Sequence, residues 1–255
     1  MGQLRLLRRP SVEGKHVAIL GLGPSVYAYM DLTRRLGGRK QLADETWSIN
    51  ALGDVFACDR VFHMDDVRIQ QVRADARPQS NIAAMLGWMK MHPGPIYTSR
   101  PHDDYPGLVA YPLEDVINDL GSVYFNNTAA YAMALAIHEK AATISLWGCD
   151  YTYANSHRAE KGRAGLEFWC GFARARHIGV SLPDTTSLMD ACVREDERLY
   201  GFGALGSADA QIAQDDEGRF TVTFAERPSL PTADEIEAAY DHSKHPSPLI
   251  SGAAA

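Results

Sequence analysis

The chain has 255 residues, 45% of them hydrophobic and 22% charged, which is enough to bury a sizeable core with room for an appendage. No stretch approaches the roughly 20 apolar residues of a membrane span, and Cys58, Cys149, Cys170 and Cys192 show neither CxxC nor Cys/His metal spacing. Collagen, coiled coil, zinc ribbon and disulfide-stapled secreted module are excluded. The formal charge of −7 is unevenly placed: from Gly206 onward nine acidic side chains face three basic ones, and the rest is nearly neutral. Neither part is the basic surface that indiscriminate phosphate-backbone binding needs. The opening MGQLRLLRRP is basic without the apolar run of a secretory signal, so a cytoplasmic location with reduced thiols is the expectation.

Residues 15–21 (KHVAILG) form an apolar run that ends in glycine, the pattern of a buried parallel strand. The turn Gly21-Leu22-Gly23-Pro24-Ser25 follows, then a helical pattern through Val26, Met30, Leu32 and Leu36 that stops at Gly37-Gly38. Short strands are predicted at 45–50 (ETWSIN), 60–64 (RVFHM) and 95–99 (PIYTS), and helices at 80–91 and 113–120. Asn126-Asn127-Thr128 precedes a strong helix, AAYAMALAIHEK, whose free amides Asn127 or Thr128 can cap. ATISLWG (142–148) is the second clear buried strand. A polar loop, a helix over about 160–176 and a strand at 178–182 follow it. Strands alternating with helices predict an α/β fold with a doubly wound, mostly parallel, Rossmann-like sheet. The expected domains are 1–200 as a nucleotide-(sugar-)binding catalytic domain, 201–241 as an acidic extension with a β-hairpin around Asp215-Asp216-Glu217-Gly218, and 242–255 as a disordered tail.

Open parallel sheets bind ligands beyond the carboxyl ends of their strands. Four polar clusters fall there: 21–25, Asn50, His63 to Asp66, and Asp150 to His157. The glycines of the first permit a tight turn, and the following helix start and the Ser25 hydroxyl suit an anion. The third glycine of the dinucleotide fingerprint is replaced by Val26, and no P-loop Gly-Lys-Ser/Thr follows. The plain alternative is a ligand-free turn. Asn50 either caps a helix or bonds a nucleotide. Asp65 and Asp66 beside His63 suit acid–base work or a divalent ion, or cap a helix. Asp150, after a buried strand, needs a partner or a site. Tyr151 and Tyr153 either stack on a base or sugar or close the loop, and His157 is a candidate general base or an ordinary exposed histidine.

As an ordered set, GLGPS after the first strand, SIN at the second, and NNTAAYAMALAIHEKAATISLWGCDYTY followed by His157 resemble the bacterial sialyltransferases of glycosyltransferase family 42. They are also similar to the motility-associated flagellin glycosyltransferases and the archaeal 6-hydroxymethylpterin pyrophosphokinase group. EFWCGFARARHIGVSLP looks like an uncharacterised phage and prophage branch. The resemblance spans roughly residues 15–192. It implies that Gly21, Gly23, Pro24 and Ser25 hold a donor phosphate, that Asn50 binds the nucleotide, and that Asn127 and Thr128 bind the donor. It also implies that His157, before AGLEFW, is the catalytic base and that Tyr151 and Tyr153 lie near the leaving phosphate. The chain departs from the sialyltransferases at Leu22, at Phe125 and in the Met64-Asp65-Asp66 segment. Asp65 and Asp150 fit better with the pyrophosphokinase and flagellin branches, where acidic residues engage a metal.

The leading expectation is therefore a nucleotide-sugar-dependent glycosyltransferase with a CMP- or UDP-linked donor and no tightly bound cofactor. His157, or failing it Asp65 or Asp150, would deprotonate an acceptor hydroxyl on a modified DNA base, a glycan or a small molecule. The alternatives are a Mg²⁺-dependent pyrophosphokinase-like enzyme using ATP, with Asp65, Asp66 and Asp150 near the metal, and a non-catalytic nucleotide or sugar binder.

Overall fold

The computed structural model describes residues 11–152, 156–195, 198–202 and 207–239. Strand β1 (His16–Leu20) leads through the 21–25 turn into α1 (Val26–Leu36), which closes at Gly37 in the left-handed region, φ 84°. The one-turn helix α2 (Arg39–Leu42), β2 (Glu45–Ile49), α3 (Leu52–Val55) and β3 (Arg60–Phe62) follow. Next come α4 (Val67–Ala76), α5 (Asn81–Met91), β4 (Ile96–Thr98), β5 (Leu108–Ala110) and α6 (Leu113–Leu120). The core is completed by α7 (Thr128–His138), β6 (Thr143–Trp147), α8 (Ser156–Ala175) and β7 (Gly179–Ser181). Sequence reading misses β5, which is three residues long and ends on exposed Ala110. It also starts α8 four residues late, so His157 sits on the helix rather than in a loop.

All seven strands run parallel, in the order β5-β4-β3-β2-β1-β6-β7. Period-2 alternation divides each central strand between two helical layers. Val17, Ile19, Trp47, Phe62, Ile144 and Leu146 face α6, α7 and α8. Ala18, Leu20 and Trp147 face α1 and α3, while Val61 and Ile96 face α4 and α5. Burial on both faces is why these strands read as continuous apolar runs. Helix α7 buries residues on every side and is accordingly apolar all round.

At the amino edge of the sheet the buried Arg60 guanidinium bonds Glu45 (2.8 Å) and Glu139 (2.7 Å) and lies over Trp47. Burial alone would lower its pKa, but the two carboxylates raise it, so the cation is locked in place.

The chain divides into two compact units after Cys192. The second unit contains the antiparallel hairpin β8 (Ala208–Gln214) and β9 (Phe220–Glu226), followed by α9 (Ala233–Ala239). The expected tail at 242–255 lies outside the described residues.

Candidate functional site

Chain order reverses at β1, which lies between β2 and β6. A doubly wound sheet opens its ligand crevice at such a point, beyond the carboxyl ends of the two strands. Here the segments at those ends are the 21–25 turn and Gly148-Cys149-Asp150-Tyr151. The two segments are laced together. Gly21 N–H donates to Trp147 O, Gly23 N–H to Gly148 O, Gly148 N–H to Ser25 Oγ, and Ser25 N–H to Asp150 Oδ2, each at 2.7 Å. A Cβ on Gly21 would fall 2.9 Å from the Gly148 carbonyl carbon, and one on Gly148 (φ 69°) would fall 2.8 Å from that of Gly21. These glycines are required by backbone-to-backbone contact.

This geometry occupies most of the groups that the phosphate reading of Gly21, Gly23, Pro24 and Ser25 would use. The amides of Gly21, Gly23 and Ser25 donate within the protein, Pro24 has none, and those of Val26, Tyr27 and Ala28 bond Gly23, Pro24 and Ser25 carbonyls. The position an anion would take at the head of α1 is filled by the Asp150 carboxyl. Asp150 is only 2% exposed, and its Oδ1 has no hydrogen-bond partner among the described residues. The hydroxyl of Ser187 donates to its backbone carbonyl.

The α7 start is equally well tied. Asn127 caps it, accepting from Ala130 N–H (2.9 Å) and Tyr151 Oη–H (3.0 Å) at Oδ1 while donating to Asn126 Oδ1 (2.7 Å) and Gly162 O (2.9 Å). Both donors and both acceptor directions of the amide are thus engaged within the protein. Thr128 opens α7 and is half-buried. Tyr151, at φ 53°, packs its ring where a Gly162 Cβ would otherwise come within 2.5 Å. Asn126 fills the corresponding space at Gly165 and donates to Lys161 O. His157 is exposed on the first turn of α8, five residues before Gly162. Tyr153 lies outside the described residues.

A second polar group lies at the ends of β2 and β3. Asn50, in the left-handed region at φ 54°, sets Oδ1 3.1 Å from His63 Nδ1, and Gln70 from α4 lies 2.8 Å from His63 Nε2. His63 is 1% exposed, and burial lowers its pKa. A neutral ring donates from one nitrogen and accepts at the other, so one of the two amides turns its NH₂ towards it. Asn50 is therefore held by His63. Asp66 is the N-cap of α4, accepting from Arg68 N–H at 2.8 Å, and that bond lowers its pKa; Asp65 is exposed.

The metal set of Asp65, Asp66 and Asp150 is not brought together. Strands β3 and β6 are separated by β2 and β1, roughly 14 Å at the usual spacing, while Mg²⁺–oxygen bonds are about 2.1 Å. Among the described residues no group of three His, Cys, Asp or Glu side chains is placed to hold a metal ion.

Sequence reading did not single out Gly148, Gly162, Gly165, Gln70 or Ser187. Only the Gly162-x-x-Gly165 spacing inside a helical stretch offered a signal of close packing.

The fold defines the class: a doubly wound α/β protein of Rossmann-like type, with its topological switch point between β1 and β6. No helix among the described residues is long and apolar enough to cross a membrane. No protein-family model and no curated protein matches the chain. Among solved structures, an X-ray structure of a mutant α-2,3/8-sialyltransferase, CstII, is similar at 13% identity and a TM-score of 0.33, covering 89% of this chain and 100% of that one.

Proposed function

We propose that the protein is a nucleotide-sugar-dependent glycosyltransferase whose donor lies in the β1/β6 crevice. The observation that carries the reading is the buried Asp150 carboxyl, with one oxygen unpartnered among the described residues, at the switch point of a Rossmann-like sheet. In this reading the donor's phosphate lies away from the α1 head, towards the amino end of the 20-residue helix α8, whose dipole favours the leaving anion. His157 accepts the acceptor hydroxyl's proton as that oxygen bonds the anomeric carbon. The bond from that carbon to the phosphate oxygen breaks, and the nucleotide leaves with the electron pair.

The test is thermal stabilisation by CMP, CDP, UDP, GDP, ADP and ATP, with and without Mg²⁺. A ligand at a hundredfold excess over its Kd adds about 2.7 kcal/mol. The expected result is metal-free stabilisation by a cytidine or uridine nucleotide. His157→Ala should then abolish turnover with the matching nucleotide sugar while nucleotide affinity stays within about threefold, a step of under 1 kcal/mol. A response only to ATP with Mg²⁺ overturns the reading in favour of pyrophosphoryl transfer. Nucleotide binding with turnover indifferent to His157 removes that residue from catalysis.

A further inference from the structure

We infer that Asp150 reads a hydroxyl group: its Oδ1 accepts a hydrogen bond from a sugar hydroxyl of the bound ligand, so the head of α1 receives an uncharged, hydroxylated part of that ligand. The inference rests on the nucleotide reading above and deepens it.

Four candidate ligand chemistries could meet this oxygen, and the surroundings decide among them. Phosphate is disfavoured twice over, because the amides of Gly21, Gly23, Ser25 and the first turn of α1 are engaged and a carboxylate already occupies the anion position. A divalent cation needs several oxygen ligands, and among the described residues Asp150 belongs to no group of three His, Cys, Asp or Glu side chains placed to hold one. A ligand ammonium is not required for charge balance, since Ser25 N–H and the positive end of α1 already face Oδ2. What Oδ1 lacks is a hydrogen-bond donor. A buried acceptor left without one costs free energy that a ligand O–H restores on binding. The hydroxyl belongs either to the nucleoside ribose or to the transferred sugar, and the two sources are separable.

The experiment measures affinity for cytidine, uridine, adenosine and guanosine, their 2′- and 3′-deoxy forms, and UDP against UDP-glucose and UDP-N-acetylglucosamine. Wild-type protein is compared with Asp150→Asn, which keeps an acceptor for Ser25 N–H but offers NH₂ in place of Oδ1. If ribose is the source, a deoxynucleoside binds about tenfold more weakly than its parent, as expected for a hydrogen bond to a charged group, and Asp150→Asn erases the difference. If the transferred sugar is the source, the deoxy forms bind equally. The gain from UDP to UDP-sugar is then what Asp150→Asn removes. A wild-type protein indifferent to both hydroxyl sources overturns the inference without any variant, as does displacement of a bound nucleoside by inorganic phosphate. Either result leaves the nucleotide reading standing. No binding by any nucleoside, nucleotide or nucleotide sugar overturns both.

Discussion

His63 shows how far a single side chain's role depends on its neighbours. In the sequence it stands two residues from Asp65 and suggests acid–base chemistry; in the fold it is enclosed between Asn50 and Gln70 with its pKa pushed below 6.5 by burial. Between its folded value and 6.5 the unfolded chain holds a proton that the folded chain does not. Stability is therefore full above pH 6.5 and falls as pH drops through that window. His16, lowered by its own partial burial, acts in the same sense. Thermal midpoints from pH 7.5 to 5 should fall for the wild type and fall less for His63→Gln, in which only the His16 contribution of the two is left. Equal slopes would show that His63 takes up its proton without leaving the fold. The same lesson holds for Asn127, whose capping role is legible from NNT before an apolar helix. That its amide has no capacity left for a ligand is not legible, because three of its four partners come from outside α7.

At the scale of elements, glycines separate backbone necessity from chance. Gly21 meets Gly148 main chain, and no side-chain rotation can relieve that clash. Gly21→Ala should therefore destabilise by more than the roughly 1 kcal/mol of an average substitution. Gly165→Ala would drive a Cβ to within 2.6 Å of Asn126 Cγ and should also lower the melting midpoint. Gly171, on the same helix, is exposed with open space at its Cβ, so Gly171→Ala should stabilise by about 0.5–1 kcal/mol. Differential scanning calorimetry on the three variants checks the order, and a stable Gly21→Ala protein would mean the β1 and β6 loops are not interlocked. Gly23→Ala, an obvious probe of a phosphate turn, does not isolate ligand binding. Its Cβ would lie 2.9 Å from Gly148 O and against Asp150, so it disturbs the turn itself.

At the scale of the molecule, the first compact unit holds the complete seven-stranded sheet and all three apolar clusters. A chain truncated after Cys192 should keep one cooperative thermal transition and the far-UV circular dichroism of an α/β protein. Loss of that transition would show that residues beyond 192 are needed for folding.

The sequence by itself determined the fold class, because strands buried on both faces must be continuously apolar and the helices between them announce their ends with Gly37, Gly121 and Asn127. It also placed the polar clusters at the carboxyl rim, since every strand of a parallel sheet ends there. Only the tertiary structure decided which neighbours those clusters meet. The strand order puts Asp150 beside Ser25, 125 residues away, and keeps it three strands from Asp65 and Asp66. Whether a carboxylate serves a helix end, a metal or a ligand depends on such neighbours, and strand order sets them.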